Sequence, residues 1–180
     1  MGATTTALTV EDFLRLPEPE GQRIELIEGE VVAMGRGGYA HEIAKANLIE
    51  ILVAWAIRHR IGKVLSETTF RLDAHNSPIP DVSFVLAARL KPGTEGLIQG
   101  APELAIEVVS SESAAHLEKK IELYLAHGGK AVWTVYPLQR VMWVYDAKGF
   151  ARKLEADQAI EDAALLPGFS APVSAIFDGV

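Results

Sequence analysis

The stretch PELAIEVVSSESAAHLEKKIELYLAHGGKAVWTVY (residues 102–136) decides the fold. It opens on a short apolar run, Glu103–Val109, and crosses a polar SSES junction. An amphipathic segment over residues 114–127 follows, stops at Gly128-Gly129, and gives way to a second apolar run, Ala131–Tyr136. Strand, helix, strand at this spacing predicts a crossover unit joining parallel strands. One residue breaks the first run. Glu107 is a carboxylate in a segment otherwise suited to burial, which costs free energy unless the charge is paired or holds a metal.

Upstream, PDVSFVL (residues 80–86) carries a second such carboxylate, Asp81. Side chains alternate across a strand, so Val82, Phe84 and Leu86 form one apolar face while Asp81, Ser83 and Val85 share the other. By the same rule Leu104, Ile106 and Val108 lie on one face, and Ala105, Glu107 and Val109 on the opposite one. If the two strands pair, both carboxylates project from one surface near the end of the sheet. The helix then selects a lysine. With Leu117, Ile121, Tyr124 and Gly128 on the core stripe, a turn of about 100° per residue puts Lys119 opposite, in solvent. Lys120 falls at the edge of the stripe, between His116 and Tyr124, where a long side chain can reach back over the strand ends.

Asp81, Glu107 and Lys120 outline a metal-dependent site for phosphodiester cleavage. The carboxylates are expected to hold Mg²⁺ or Mn²⁺ through oxygen ligands. The metal would polarise a phosphoryl oxygen and activate a bound water, and Lys120 would orient that water or neutralise charge on the phosphate. Spacing alone also fits a plainer account: Pro80-Asp81 as a turn dipeptide, Glu107 as an exposed ion-pair member, Lys120 snorkelling from a helix edge. Two accessory candidates carry alternatives of their own. His41 follows GRGG (residues 35–38) and could meet a phosphate at a positive helix end, or that stretch is only a flexible loop, because no Gly-Lys-Ser/Thr follows. Glu25 is either an extra metal ligand or an outward strand residue. His59, His75 and His127 lie near element ends and read as surface residues, and no HExxH or GxSxG is present.

The remaining chain supplies the frame. Thr9 and Asp12 form a capping-box pattern opening a short helix through Leu16. RIELIEGEVVAM (residues 23–34) reads as a hairpin turning at Glu28-Gly29, with Ile24, Leu26 and Val32 inward. A long helix from about Ala40 to Arg58 should stop at Gly62, with strands at Val64–Leu72 and Asp81–Leu86 and a surface loop over residues 87–102. Ala131–Tyr136 and Arg140–Tyr145 make a further strand pair, Glu155–Leu165 a polar helix, and LPGFSAPVSAIF (residues 166–177) should pack back on the body. The expected class is α/β in the α+β sense, a mixed sheet flanked by helices in a single domain over residues 1–180, with residues 1–8 flexible.

Composition narrows the function. The absence of cysteine among 180 residues excludes disulfides, thiolate zinc sites and a cysteine nucleophile, and fits a cytoplasmic location. The start has no basic head and apolar stretch of a signal peptide, and the apolar segment over residues 43–57 carries Lys45, Asn47 and Glu50, so no membrane span is expected. A net charge of −7 argues against indiscriminate binding to phosphate backbones, yet leaves a nuclease open because a metal site is itself acidic.

ELIEGEVV, a histidine opening a helix, PDVSFV, PELAIEVVS and K-x-x-x-Y-x-x-x-G, in that order, resemble the Uma-two family of restriction-endonuclease-like proteins. The resemblance runs from about Val10 to Phe177. It implies a PD-(D/E)XK nuclease core with Asp81 and Glu107 at the acidic positions. The superfamily lysine would fall at Val109; the family supplies it from the next helix, at Lys120, four residues before Tyr124. Three departures stand out: Ser111 for a usual proline, His116 for an aspartate one turn before the lysine, and Gly129-Lys130 for Val-Pro. The expectation is Mg²⁺-assisted hydrolysis of phosphodiester bonds in DNA. The rival is a catalytically inactive member acting in nucleic-acid binding or as a homodimer, with Trp133, Tyr136, Trp143 and Tyr145 as a packing surface or as core.

Overall fold

The computed structural model describes residues 7–17, 19, 22–35, 37–91, 96–110 and 112–180. Residues 1–6, most of the stretch expected to be flexible, and Arg36 of GRGG lie outside them. Leu8 donates its amide to the Gly29 carbonyl at 2.9 Å, so ordered chain begins before the first helix. That helix, α1 (Val10–Phe13), carries the full capping box between Thr9 and Asp12 but is shorter than expected. β1 (Ile24–Ile27) and β2 (Glu30–Ala33) pair as the predicted hairpin. Glu28 and Gly29 both take positive φ, 51° and 77°, the turn chemistry that matches strand twist.

α2 (Tyr39–His59) is one residue longer at each end than the sequence suggested. Gly62 does not stop it. Arg60 takes the left-handed cap at φ 57°, and its amide reaches the Ala56 carbonyl. Gly62 instead opens β3 (Gly62–Ser66), where a Cβ would stand 2.4 Å from the Phe84 ring and from the Val85 carbonyl. Its small size serves packing. The expected strand to Leu72 breaks at Glu67, with φ 49°, and resumes as β4 (Phe70–Arg71).

β5 (Val82–Leu86) is followed by a 3₁₀ turn at Ala87–Arg89 and by β6 (Ile98–Gln99), which pairs with β4 in parallel. The predicted loop over 87–102 is therefore anchored. Arg89 donates to the carbonyls of Gln99 and Ala101 and to Glu103, although residues 92–95 lie outside the described residues. The deciding segment forms β7 (Leu104–Val108), α3 (Ala114–Ala126) and β8 (Ala131–Tyr136), with β7 and β8 parallel. Gly129, between α3 and β8, packs against the end of the helix where a Cβ would lie 2.7 Å from the Tyr124 carbonyl.

β9 (Val141–Asp146) and β10 (Ala151–Glu155) follow. The helix expected at Glu155–Leu165 is absent: that stretch closes β10, turns through Gln158 and forms β11 (Ala159–Glu161), paired with β12 (Ser170–Pro172). Alanine-rich polar sequence favours helix locally, but Leu154 and Ile160 are buried at 4% and 1% exposure only when strands carry them, and tertiary burial outweighs propensity. The closing segment packs back as expected, with Phe169, Val173, Ile176 and Phe177 in the main core.

Among the described residues the central sheet has six strands in the order β10-β9-β8-β7-β5-β3 and is mixed, with β7–β8 its parallel pair. Val82, Phe84, Leu104, Ile106 and Val108 face α2 and the tail. Ala105 and Val132 face Leu117, Ile121 and Tyr124 of α3. The alternation assigned from sequence holds on both strands. Trp133 lies in the core, and Tyr136, Trp143 and Tyr145 are half-buried. No helix among the described residues is long and apolar enough to cross a membrane.

The loop before β5 is tied to the end of α3 by one carboxylate. Asp73 accepts from the His75 amide at 2.7 Å and from the Asn76 side chain, and lies 3.0 Å from His127 Nε2. Burial works against its charge, yet the His75 amide, Asn76 and His127 outweigh it and hold its pKa below the usual aspartate range. A depressed folded pKa stabilises above the unfolded value, ~3.9, and the contribution fades as pH falls through the lower folded value. Asp73→Asn is therefore expected to lower the urea midpoint at pH 7, with the gap to wild type closing as pH falls through the depressed folded pKa.

Candidate active site

β5 and β7 run antiparallel with Val82 opposite Ile106, so Asp81 and Glu107 come to the same end of neighbouring strands. Asp81 sits just before β5, after Pro80, at 8% exposure. Its Oδ2 accepts the Val108 amide at 2.7 Å, bonding it directly to the strand that carries Glu107. His41, in the first turn of α2, places Nε2 3.3 Å from the same oxygen. Burial opposes the Asp81 charge, but His41, the Val108 amide and Lys120 overcome it and hold the carboxyl below its ordinary range.

Glu107 points to the α3 side, at 2% exposure. Its Oε1 accepts the Tyr124 hydroxyl at 2.8 Å and faces the Lys120 ammonium at 2.9 Å. Burial pushes its pKa well above the usual range, and repulsion from Asp81, Glu112 and Glu25 adds to that against the pull of Lys120. Lys120 itself is 2% exposed, with Leu117, Ile121 and Tyr124 on the buried face of α3. Burial works against its ammonium, but Glu107, Glu25 and Glu112 more than compensate and raise its pKa. Lys119 behaves as helix phase predicts, half-buried at the surface and paired with Glu28.

Both accessory candidates reach the same place. Glu25 is an inward residue of the hairpin, at 2% exposure. Protein donors engage both of its oxygens: His116 Nε2 on Oε1 at 2.9 Å, and the Ile79 amide on Oε2 at 3.1 Å, with Lys120 3.4 Å away. His41, far from idling beside a glycine loop, bridges Asp81 and Glu42, and Lys45 continues the chain of charges to Glu67. His59 and His75 are exposed, whereas His127 is half-buried against Asp73.

These groups line one cavity of about 500 Å³. Glu25, Asp81, Glu107 and Glu112 face it with one lysine, Lys120, and two histidines, His41 and His116. Sequence reasoning missed Glu112, which lies in the junction ahead of α3 where no strand alternation or helix phase aims a side chain. It also took Tyr124 for core alone; the i, i+4 spacing from Lys120 was the signal that both reach one acid. Among the described residues no three His, Cys, Asp or Glu side chains stand close enough together to hold a metal ion by themselves.

The chain belongs to the Uma2 family, described as "Putative restriction endonuclease", whose model matches residues 10–174. A crystal structure described as "a putative nuclease belonging to DUF820 from Anabaena variabilis ATCC 29413" superposes with a TM-score of 0.84 over 95% of this chain and 98% of that chain. At 22% identity that likeness shows a shared fold. A comparison with the curated proteins finds no match.

The ion pairs make a definite demand on stability. Removing Lys120 strands buried carboxylates, and breaking such a pair costs roughly 3–5 kcal/mol. Lys120→Met is expected to lose about that much at pH 7 in urea unfolding. The loss should shrink as pH falls towards the ordinary glutamate range, ~4.3, where the orphaned carboxyls take up protons.

Proposed function

We propose that this chain is a divalent-metal-dependent nuclease of the PD-(D/E)XK kind, hydrolysing phosphodiester bonds in DNA. The observation that carries the reading is the convergence of Asp81, Glu107 and Lys120, from β5, β7 and α3, on the wall of one cavity. Family membership, under a restriction-endonuclease description, supports the same class of substrate.

The donor set fits Mg²⁺ or Mn²⁺. Among the described residues four carboxyl groups face the cavity with one lysine, an oxygen-rich lining of the kind a hard cation takes. Mg²⁺ commonly takes one or two carboxylates and fills its remaining positions with water and phosphate oxygens, so Asp81 and Glu107 suffice without a third protein ligand. When bound there, the ion would polarise the phosphoryl group and acidify a coordinated water.

The protein's own residues do the rest. The Val108 amide and His41 keep Asp81 ionised and aimed along the strand end. Tyr124 and Lys120 hold Glu107 to one rotamer. The Lys120 ammonium supplies fixed positive charge beside the position where a phosphate gains charge in the transition state, without reorganisation at that moment. For the rival interaction module, Trp133 is core, while Tyr136, Trp143 and Tyr145 are half-buried and keep part of their surface exposed.

Plasmid and single-stranded DNA incubated with pure protein and Mn²⁺ or Mg²⁺ test this. Cleavage should vanish with a chelator and fall by at least ~10²-fold in Asp81→Asn and Glu107→Gln, the scale of losing one electrostatic stabiliser. Both variants should keep the wild-type fold by circular dichroism. Undiminished cleavage in both would sink the assignment.

A further inference from the structure

We propose that His116 is the general base of this hydrolysis and that Glu25 is its positioning residue, the two forming a carboxylate–imidazole dyad on the cavity wall; the inference rests on the nuclease reading above. His116 stands in the first turn of α3, one helical turn ahead of Lys120, with its side chain 19% exposed and facing the cavity. Its backbone is held by the Ser113 cap, whose Oγ accepts the His116 amide at 3.2 Å. Its Nε2 meets Glu25 Oε1 at 2.9 Å.

The chemistry follows from Glu25. Burial opposes its charge, but Lys120, the His116 bond and the Ile79 amide overcome that, and its carboxyl stays below the ordinary range. An ionised carboxylate on Nε2 demands the Nε2–H tautomer, so the free lone pair lies on Nδ1. Among the described residues Nδ1 has no hydrogen-bond partner. The groups facing the ring are Glu25 from β1, Glu112 from the junction before α3 and Lys120 from α3 itself.

The competing bases are worse placed. Lys120 is turned to its acids, with Nζ 2.9 Å from Glu107 Oε1 and 3.4 Å from Glu25 Oε2. Both ring nitrogens of His41 are engaged, Nδ1 by Glu42 at 3.0 Å and Nε2 by Asp81 at 3.3 Å. Glu112 is the remaining alternative, and the experiment below separates it from His116.

In the step, a water oxygen bonds to phosphorus while its proton passes to Nδ1. The bond from phosphorus to the leaving sugar oxygen breaks, and that oxygen takes a proton from solvent. The imidazolium then returns its proton to solvent. Glu25 stabilises the positive ring while it lasts.

The test uses the full chain with Mn²⁺ and supercoiled plasmid. His116→Ala should stay folded at the assay temperature by circular dichroism and keep its Mn²⁺ affinity by calorimetry and its KM, while kcat falls by about 10²-fold or more. Added imidazole should restore part of that loss, and the acid limb of the kcat–pH profile should disappear. Glu25→Gln should lower kcat and displace the same limb. Wild-type kcat in His116→Ala, or a loss that imidazole does not relieve with the acid limb intact, overturns the dyad in favour of Glu112 or solvent. A wild-type protein that cuts nothing with either metal removes the nuclease reading, and the dyad falls with it.

Discussion

One buried ammonium organises this molecule. Lys120 is 2% exposed and lies between Glu107 on the central sheet and Glu25 on the hairpin. A lysine taken so far from water must find anionic partners or give up its charge. Three elements distant in the chain, β1, β7 and α3, are held in register by that requirement. The hairpin pairs with itself and is tied to the rest of the fold by the Leu26–Ser77 bridge, by the Gly29 amide on the His75 carbonyl, by the Glu28 amide on Asn76, and by Glu25, whose carboxylate meets Ile79, His116 and Lys120.

The same arrangement gathers acids. Among the described residues Asp81, Glu107, Glu25 and Glu112 face one cavity, and Lys120 is the lysine that faces it with them. In a protein without a task for that cavity, apolar side chains of similar size would serve stability as well or better. The acids differ. His41 and the Val108 amide keep Asp81 ionised, whereas Glu107, deeper in the protein, is pushed towards its neutral form.

Much of this was legible in residue order. The crossover at residues 102–136, the faces of β5 and β7 and the preference for Lys120 over Lys119 all follow from periods of two and 3.6 residues, because each concerns one element and one core. The tail was misread for the converse reason. Residues 155–165 have no strong period, and their strands exist because Leu154 and Ile160 find a core built by distant segments. Arg60 displaced Gly62 as the helix cap because the glycine was needed against Phe84.

By itself, then, the sequence determined the crossover unit, the mixed sheet and the strand ends at which two acids must emerge. Tertiary structure alone decided what those acids meet. That His116 binds Glu25 and that His41 touches Asp81 are contacts across 91 and 40 positions in the chain, and Glu112 shares its cavity with residues as distant as Glu25. Local periodicity says which way a side chain leaves its own element. It carries no record of which other element will be standing there.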